Sequence, residues 1–588
     1  MKLNLHLLKQ ALLIAKPFWV SKGGRKSWWL LGLLILLLLA DTQLNVWFNA
    51  QAGEFASALA AREAGRFWHS VRIYLLLLLI AVPEYSAYYF VRDRVGMHWR
   101  KALSLRVLER YFRNHAFYQL HAEAAIDNPD QRIAEDINSI TQQSVNFVLV
   151  LTTAVFQIVA FGHVLWGISG YLVLFLVLYA TTVTMLTYGV FGAKMVSLYY
   201  QQRRKEANFR FGLVRVRENA EFIALYHGEK QELARVQSLY GILFENYMRR
   251  TRWQFGLNFF QYTHSLLMAL LPSIVIAPRV LSGELEVGRI VQATGAFAAI
   301  MGSLTILVDN MESLAGFAAG IQRVKTLNSH LKRLGVAAGP AGDRIAMVRS
   351  ERLQFDKVTL QTPNYERTLI RELTASVGSG ENLMILGGSG LGKSSLLRMM
   401  AGLWNSGTGT IGRPDAGDLL FLPQHTYMIV GTLREQLSYP NLGRVLGDEE
   451  SREVLERVNL GDLEVRCGGF DGAIDFEKVL SVGERQRLAF ARVLLKNPRY
   501  VLLDEATSAL DRENEEALYG ALAATSTTIV SVTHHPELVK FHSQILELTG
   551  DGGWLVYPAG RFGMDGSGQE AGGVPRHEEE AVRAKNAK

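Results

Sequence analysis

The stretch "LGGSGLGKSS", Leu386–Ser395, decides how the rest of the chain is read. It follows a short apolar run, "ENLMI", and precedes "LLRMMAGLW", which reads as a helix. Gly387, Gly392, Lys393 and Ser394 fit the spacing G-x-x-x-x-G-K-[ST]. The backbone N–H groups of Gly387, Gly388, Ser389, Gly390, Leu391 and Gly392 are expected to close round phosphates. Lys393 is expected to reach the β and γ phosphates of ATP. Ser394, with Ser395 beside it, opens the helix and offers its hydroxyl to Mg²⁺, and the helix turns its positive end to the anion. A glycine turn of this kind also arises by chance.

A second stretch argues against chance. "YVLLDEATSALD", Tyr500–Asp511, is a buried strand run closed by two acids, about 110 residues beyond the loop. Asp504 is placed to hold Mg²⁺. Glu505 is placed to polarise an attacking water as general base.

Outward from this site the chain changes character. It has 588 residues, too many for one core at about 150 residues per domain. Apolar residues make up 49%, which fits a membrane part joined to a soluble part. The single cysteine, Cys467, excludes an internal disulfide and reads as an inert thiol. Six apolar stretches are long enough, or nearly so, to cross about 30 Å of hydrocarbon. They lie near 27–49, 71–91, 144–166, 172–191, 256–277 and 288–308. The first begins near Trp28, too far in and too long for a cleavable signal core. Before it, residues 1–26 read as an amphipathic segment on the membrane surface.

The formal charge is +7, and its distribution explains it. Residues 1–26 carry Lys2, Lys9, Lys16, Lys22, Arg25 and Lys26 and no acid. The long connections 92–143 and 192–255 are also rich in Arg and Lys. The positive-inside rule then puts the N-terminus, both connections and everything after the sixth span in the cytoplasm. The basic excess needs no nucleic-acid partner. The expected organisation is an amphipathic segment at 1–26, a six-span helical domain at 27–328 with long helical extensions, and a linker at 329–350. An α/β P-loop nucleotide-binding domain at 351–558 and a disordered tail at 559–588 complete it.

The stretch "VLSVGERQRLAFARVLLKNPRYVLLDEATSALD" resembles the ATP-binding cassette of ABC transporters over its whole length. The resemblance implies roles at the matching positions. Leu480, Ser481, Val482, Gly483 and Glu484 correspond to the signature, which meets ATP held by the opposite subunit. Val482 stands where the first of the family's two signature glycines falls. Gln424 in "FLPQHTYM" corresponds to the Q-loop that senses Mg²⁺. Ser508–Asp511 correspond to the D-loop, and His534 in "SVTHH" to the switch histidine at the γ-phosphate. Tyr365 corresponds to the aromatic that stacks on adenine. One cassette and six spans imply a half-transporter that works as a homodimer in membrane lipid, of exporter-like fold.

"IDNPDQRIAEDI" (Ile126–Ile137), "EANFRFGLVRVRENAEFIALYHGE" (Glu206–Glu229) and "FLPQHTYMIVGTLREQLSYP" narrow the resemblance. They resemble the SbmA/BacA-like branch with a fused ATPase, and also the peroxisomal subfamily D half-transporters of long-chain acyl-CoA. This implies ATP-driven movement of peptides or other bulky hydrophilic solutes, cobalamin among them, across a bacterial inner membrane, with import favoured. Export of drugs or lipids, or acyl-CoA transport, are the alternatives. Asp41, Glu84, Asp309 and Glu312 fall in or beside spans. Acids there are functional by default; they are expected to line a substrate pathway, the alternative being that the helices run past the bilayer and the acids sit at its interface.

Overall fold

A computed structural model describes residues 13–20, 24–122, 126, 128–309, 311–335, 344–441 and 443–562. The chain divides into two compact units, Met1–Ala337 and Ala338–Lys588.

The first unit is helical. Its helices are α1 (Gly24–Ala60), α2 (Ala64–Phe112), α3 (Ile137–Ile168), α4 (Gly170–Leu186), α5 (Ala193–Glu218), α6 (Glu229–Leu281), α7 (Gly288–Asp309) and α8 (Met311–Gly335). A π-helical turn, Thr187–Gly192, carries α4 directly into α5. Among the described residues five helical stretches are long and apolar enough to cross a membrane: Ser27–Ala60, Ala64–Leu120, Pro129–Ile168, Gly170–Glu218 and Glu229–Leu281. At 1.5 Å per residue the 53 residues of α6 reach about 80 Å, far beyond the hydrocarbon. Helix α2 runs unbroken through Pro83.

The sixth expected span coincides with α7, which is not among those five. Its Gly, Ala, Ser and Thr residues serve packing. Ala293, Ala296 and Phe297 are fully buried. A Cβ on Gly288 would lie 1.9 Å from the Gly53 carbonyl oxygen, and one on Gly295 would lie 2.0 Å from Asn49 Oδ1. Helices α1 and α7 therefore approach backbone to backbone, as small residues permit in membranes. The Gly288 N–H donates to Ser57 Oγ at 3.0 Å. Gly288→Val should markedly lower the yield of monodisperse protein. Gly302→Ala, with nothing within 4 Å of its Cβ, should leave that yield unchanged. Size-exclusion profiles of the two variants test this.

Two features brace these helices. Residues 13–19 form a helix whose Phe18 stacks on Trp99, with Trp19 edge-on to Trp28 and Trp99. The rest of the expected amphipathic segment lies largely outside the described residues. In "IDNPDQRIAEDI", Asn128 takes a left-handed conformation and Pro129 opens a short helix that passes through a π-turn into α3. Arg132 is buried and donates to the Arg323 carbonyl oxygen at 3.1 Å, while Asp136 pairs with the Arg323 guanidinium. This stretch locks the start of α3 to α8.

The second unit is α/β. A six-stranded sheet has the order β10 (Gly553–Pro558), β9 (Gln544–Gly550), β4 (Leu383–Gly387), β8 (Thr528–Val532), β7 (Tyr500–Asp504), β6 (Leu419–Leu422). All neighbours are parallel except the β9/β10 pair. Strands β4, β7 and β8 are nearly continuous apolar runs, as parallel strands covered on both faces require. Helices α9 (Lys393–Met400), α10 (Val482–Lys496) and α11 (Arg512–Ala523) pack about this sheet. A second sheet has the order β1 (Ala346–Arg349), β5 (Gly407–Arg413), β2 (Leu353–Gln361), β3 (Thr368–Val377).

Two expected boundaries move. Helix α8 runs on to Gly335, inside the expected linker, because Leu327 and Leu331 continue its buried face. Strand β1 lies upstream of 351 because Ala346–Arg349 pair in parallel with β5. Of the expected tail, Ala559–Arg561 form a 3₁₀ turn with Ala559 buried, and residues 563–588 lie outside the described set. Cys467 is buried, and burial pushes its thiol up, in keeping with an inert group.

His542 anchors the loop after β8. Its Nδ1 donates to the Leu538 carbonyl oxygen at 2.8 Å, so Nε2 accepts from the Ser531 hydroxyl at 2.8 Å. Burial pulls its pKa down to about 4. The folded state therefore holds a neutral imidazole, and below the unfolded value of about 6.5 the unfolded state binds the extra proton. The contribution is complete above about 6.5 and fades as pH falls toward 4. We expect about 2 kcal/mol to be lost by pH 5. Thermal unfolding of wild type and His542→Gln across pH 7.5 to 5 checks this, the variant showing the shallower slope.

Candidate nucleotide site

Four neighbouring parallel strands each end in an expected site residue. Strand β4 runs into the glycine loop, β8 into His534, β7 into Asp504 and Glu505, and β6 into Gln424. Ligands bind at the carboxyl ends of such strands.

The glycine loop owes its shape to three positive φ angles, 142° at Gly387, 77° at Gly390 and 100° at Gly392. A Cβ on Gly387 would meet the Leu548 carbonyl oxygen at 2.8 Å, so only glycine fits this approach. Gly390 borders open space, and Gly388 meets only Leu391. Lys393 Nζ curls back to donate to the carbonyl oxygens of Gly387 (2.6 Å) and Gly388 (3.2 Å). Burial pushes its ammonium below the ordinary value, against the pull of Glu505 and Asp504. The next residue, Ser394, donates its hydroxyl to Asp504 Oδ1 at 2.8 Å.

Burial pushes the Asp504 carboxyl up, with the Ser394 bond and the charge of Arg398 acting the other way. A divalent cation beside this carboxylate and hydroxyl would favour the ionised form. Ser394 Oγ, Asp504 and the Gln424 amide oxygen are hard oxygen donors suited to Mg²⁺, which is held by one or two protein groups plus phosphates and water. Backbone N–H groups, an ammonium and oxygen donors so arranged fit a magnesium nucleotide.

Glu505 sits at the centre of the far side. Gln424 Nε2 donates to its Oε2 at 2.8 Å, and His534 Nε2 stands 3.1 Å from its Oε1. Glu505 has a φ of 50°, held by its N–H on the Val532 carbonyl oxygen and by the Ser508 N–H on its own carbonyl. A left-handed non-glycine residue costs roughly 1–3 kcal/mol, and such residues cluster at active sites.

The signature lies at the start of α10. Ser481 caps the helix reciprocally with Glu484, whose carboxylate is held at about 2 by Arg466 and this cap. Val482 is 48% exposed and leaves the motif's outer face open. Gly483 faces inward, and a Cβ there would come 3.0 Å from the Ala509 carbonyl oxygen in the D-loop. Leu480 is buried beneath. Among the described residues no hydrogen bond joins Ser481–Glu484 to the glycine loop. Tyr365 stands in the turn between β2 and β3 with a φ of 60° and its ring 43% exposed.

Buried residues that motif reading passed over hold these parts together. Gln486 accepts from the Ala509 N–H at 3.1 Å and lies 3.5 Å from Ser508 Oγ and the Gln424 carbonyl oxygen. Glu515 accepts from Thr507 Oγ1 at 2.5 Å and meets His535 Nδ1 at 2.5 Å. Arg492 holds the segment after Gln424. The available signal was polar residues on the apolar faces of α10 and α11.

The expected pathway acids lie in the first unit. Asp41 accepts from Asn45 Nδ2 at 3.1 Å. Glu84, on α2, has both carboxylate oxygens enclosed with no hydrogen-bond partner. The side chains of Asp309 and Glu312 lie outside the described set.

Residues 16–281 match the family described as ABC transporter transmembrane region 2, and residues 370–508 match ABC transporter. An uncharacterized ABC transporter ATP-binding protein of Synechocystis is 41% identical, over 90% of this chain and 82% of its own length. The human lysosomal cobalamin transporter ABCD4 is 30% identical, over 94% and 96%. The Escherichia coli inner membrane ABC transporter ATP-binding protein YddA is 28% identical, over 92% and 98%. Identity of this extent runs through the helical unit as well as the cassette, and the chain therefore belongs to the ABC transporters, as a half-transporter homologous to their D subfamily whose ATPase is coupled to transport.

Proposed function

We propose that the chain works as a homodimer in a bacterial inner membrane and imports peptides or similarly bulky hydrophilic solutes, cobalamin among them. Each ATP lies between the glycine loop of one subunit and the Leu480–Glu484 signature of the other. Lys393 neutralises the β and γ phosphates. Ser394, Asp504 and Gln424 hold Mg²⁺. Glu505 takes the proton of the attacking water, His534 orients the γ-phosphate, and Tyr365 stacks on adenine. The observation that carries this reading is the convergence of Gln424, Asp504, Glu505 and His534 on adjacent strand ends beside the loop. An open signature face not bonded to its own loop supports the shared site. A hydrophilic cargo is supported by the polar cavity between α1, α3 and α7 and by the human relative, which is named as a cobalamin transporter.

The test is transport in liposomes with ATP added only on the cassette side. A labelled cationic peptide and labelled cobalamin are followed, with Glu505→Gln as control. Accumulation on the cassette side, absent in the variant, is the expected result. Movement away from the cassettes would make the protein an exporter. Active ATPase with neither solute moving would leave lipid and acyl-CoA as the cargo to try.

A further inference from the structure

A cavity of about 370 Å³ lies inside the helical unit, between α1, α3 and α7. Its polar lining is uncharged: Asn45, Asn49, Thr153, Gln157 and Ser303. Part of that polarity is already used. Asn49 Nδ2 donates to the Gln292 carbonyl oxygen at 3.0 Å, and the Ser303 hydroxyl donates to Gln157 Oε1 at 2.8 Å. Among the described residues Asn49 Oδ1 and Gln157 Nε2 make no hydrogen bond, so the wall keeps both an acceptor and a donor.

Asn45 joins this cavity to a pair of acids. Its Nδ2 donates to Asp41, and its Oδ1 accepts from the Tyr85 hydroxyl at 3.3 Å. Glu84 directly precedes that tyrosine on α2. Both oxygens of Glu84 are enclosed and unpartnered. Among the described residues no Lys, Arg or His pairs with either acid. An enclosed carboxylate is normally paired or hydrogen-bonded, and among the described residues Glu84 is neither.

We propose that the cavity and the Asp41/Glu84 pair form a binding subsite for a solute with an amine or guanidinium group flanked by neutral hydrogen-bonding groups. The amides and hydroxyl take the neutral part, and the two carboxylates take the cation. The subsite deepens the proposed transport of hydrophilic solutes and rests on that reading for its purpose.

The test is equilibrium binding without ATP, on the full-length protein in nanodiscs of zwitterionic lipid. The probes are dye-labelled tri-arginine and its neutral isostere tri-citrulline. Wild type should bind tri-arginine at least tenfold more tightly. Glu84→Gln should abolish that preference and leave tri-citrulline affinity within twofold. Asp41→Asn, scored the same way, carries the comparison if the first variant does not fold. Equal affinity of wild type for both peptides, or a preference that survives in both variants, overturns the subsite. Because no ATP is used, a failure of ATP-driven flux with the preference intact would sink the transport reading and spare the subsite.

Discussion

Glu505→Gln is expected to slow ATP hydrolysis by about 10²- to 10⁴-fold, the range in which a positioned general base contributes, while nucleotide affinity stays within a few fold. The substitution keeps size and shape. An amide oxygen can still accept from Gln424, which donates to Glu505 at 2.8 Å. The left-handed backbone at 505 is fixed by main-chain bonds to Val532 and Ser508 that do not involve the side chain. Asp504, bonded to Ser394, and Lys393, on the glycine loop, keep their positions. Only the capacity to take a proton from water is removed. Phosphate release and equilibrium binding of labelled ATP, measured on the same preparation, check both halves of the expectation. Hydrolysis within tenfold of wild type would remove Glu505 from the role of base.

The parts of this site that were legible in the sequence are those whose chemistry is local. A glycine loop between a strand and a helix, or two acids closing an apolar strand, needs only a dozen contiguous residues to declare itself. Gln424 and His534 were legible only through resemblance, since neither carries a local signature; the sheet order puts them beside Glu505. Gln486, Arg492 and Glu515 were not legible, because their partners lie 20 or more residues away, or in another loop. In the helical unit, run length disclosed the spans, yet α7 is set by its small residues, whose value appears only where Gly288 meets Gly53. Strand β1 was missed for the same reason, four residues whose only claim to be a strand is their pairing with β5.

Arg492→Met is expected to destabilise the cassette by about 3–5 kcal/mol, the sum of several buried acceptors left unpaired at about 1–3 kcal/mol each. Arg492 is 7% exposed, and burial pulls its guanidinium down to about 10. Among the described residues no carboxylate compensates it. Instead Nε donates to the Gln436 carbonyl oxygen at 2.7 Å, Nη1 to the Tyr427 carbonyl oxygen at 2.9 Å, and Nη2 to Gln436 Oε1 at 2.7 Å. The Tyr439 ring lies 5.4 Å from the guanidinium. Gln436 in turn accepts from the Ile429 N–H at 3.3 Å, so the segment that follows Gln424 hangs on one side chain of α10. Methionine fills the volume and satisfies none of these acceptors. Lysine restores a charge but not a planar fork of donors, so Arg492→Lys should recover little. For a unit of this size each kcal/mol moves the midpoint by about 2–4 °C, and the cassette transition should fall by about 10 °C in both variants. Because α10 also carries the signature, hydrolysis should fall at temperatures where the fold is intact, through misplacement of Gln424. A midpoint within 3 °C of wild type would mean that water replaces the guanidinium and that α10 does not hold the Gln424 segment in place.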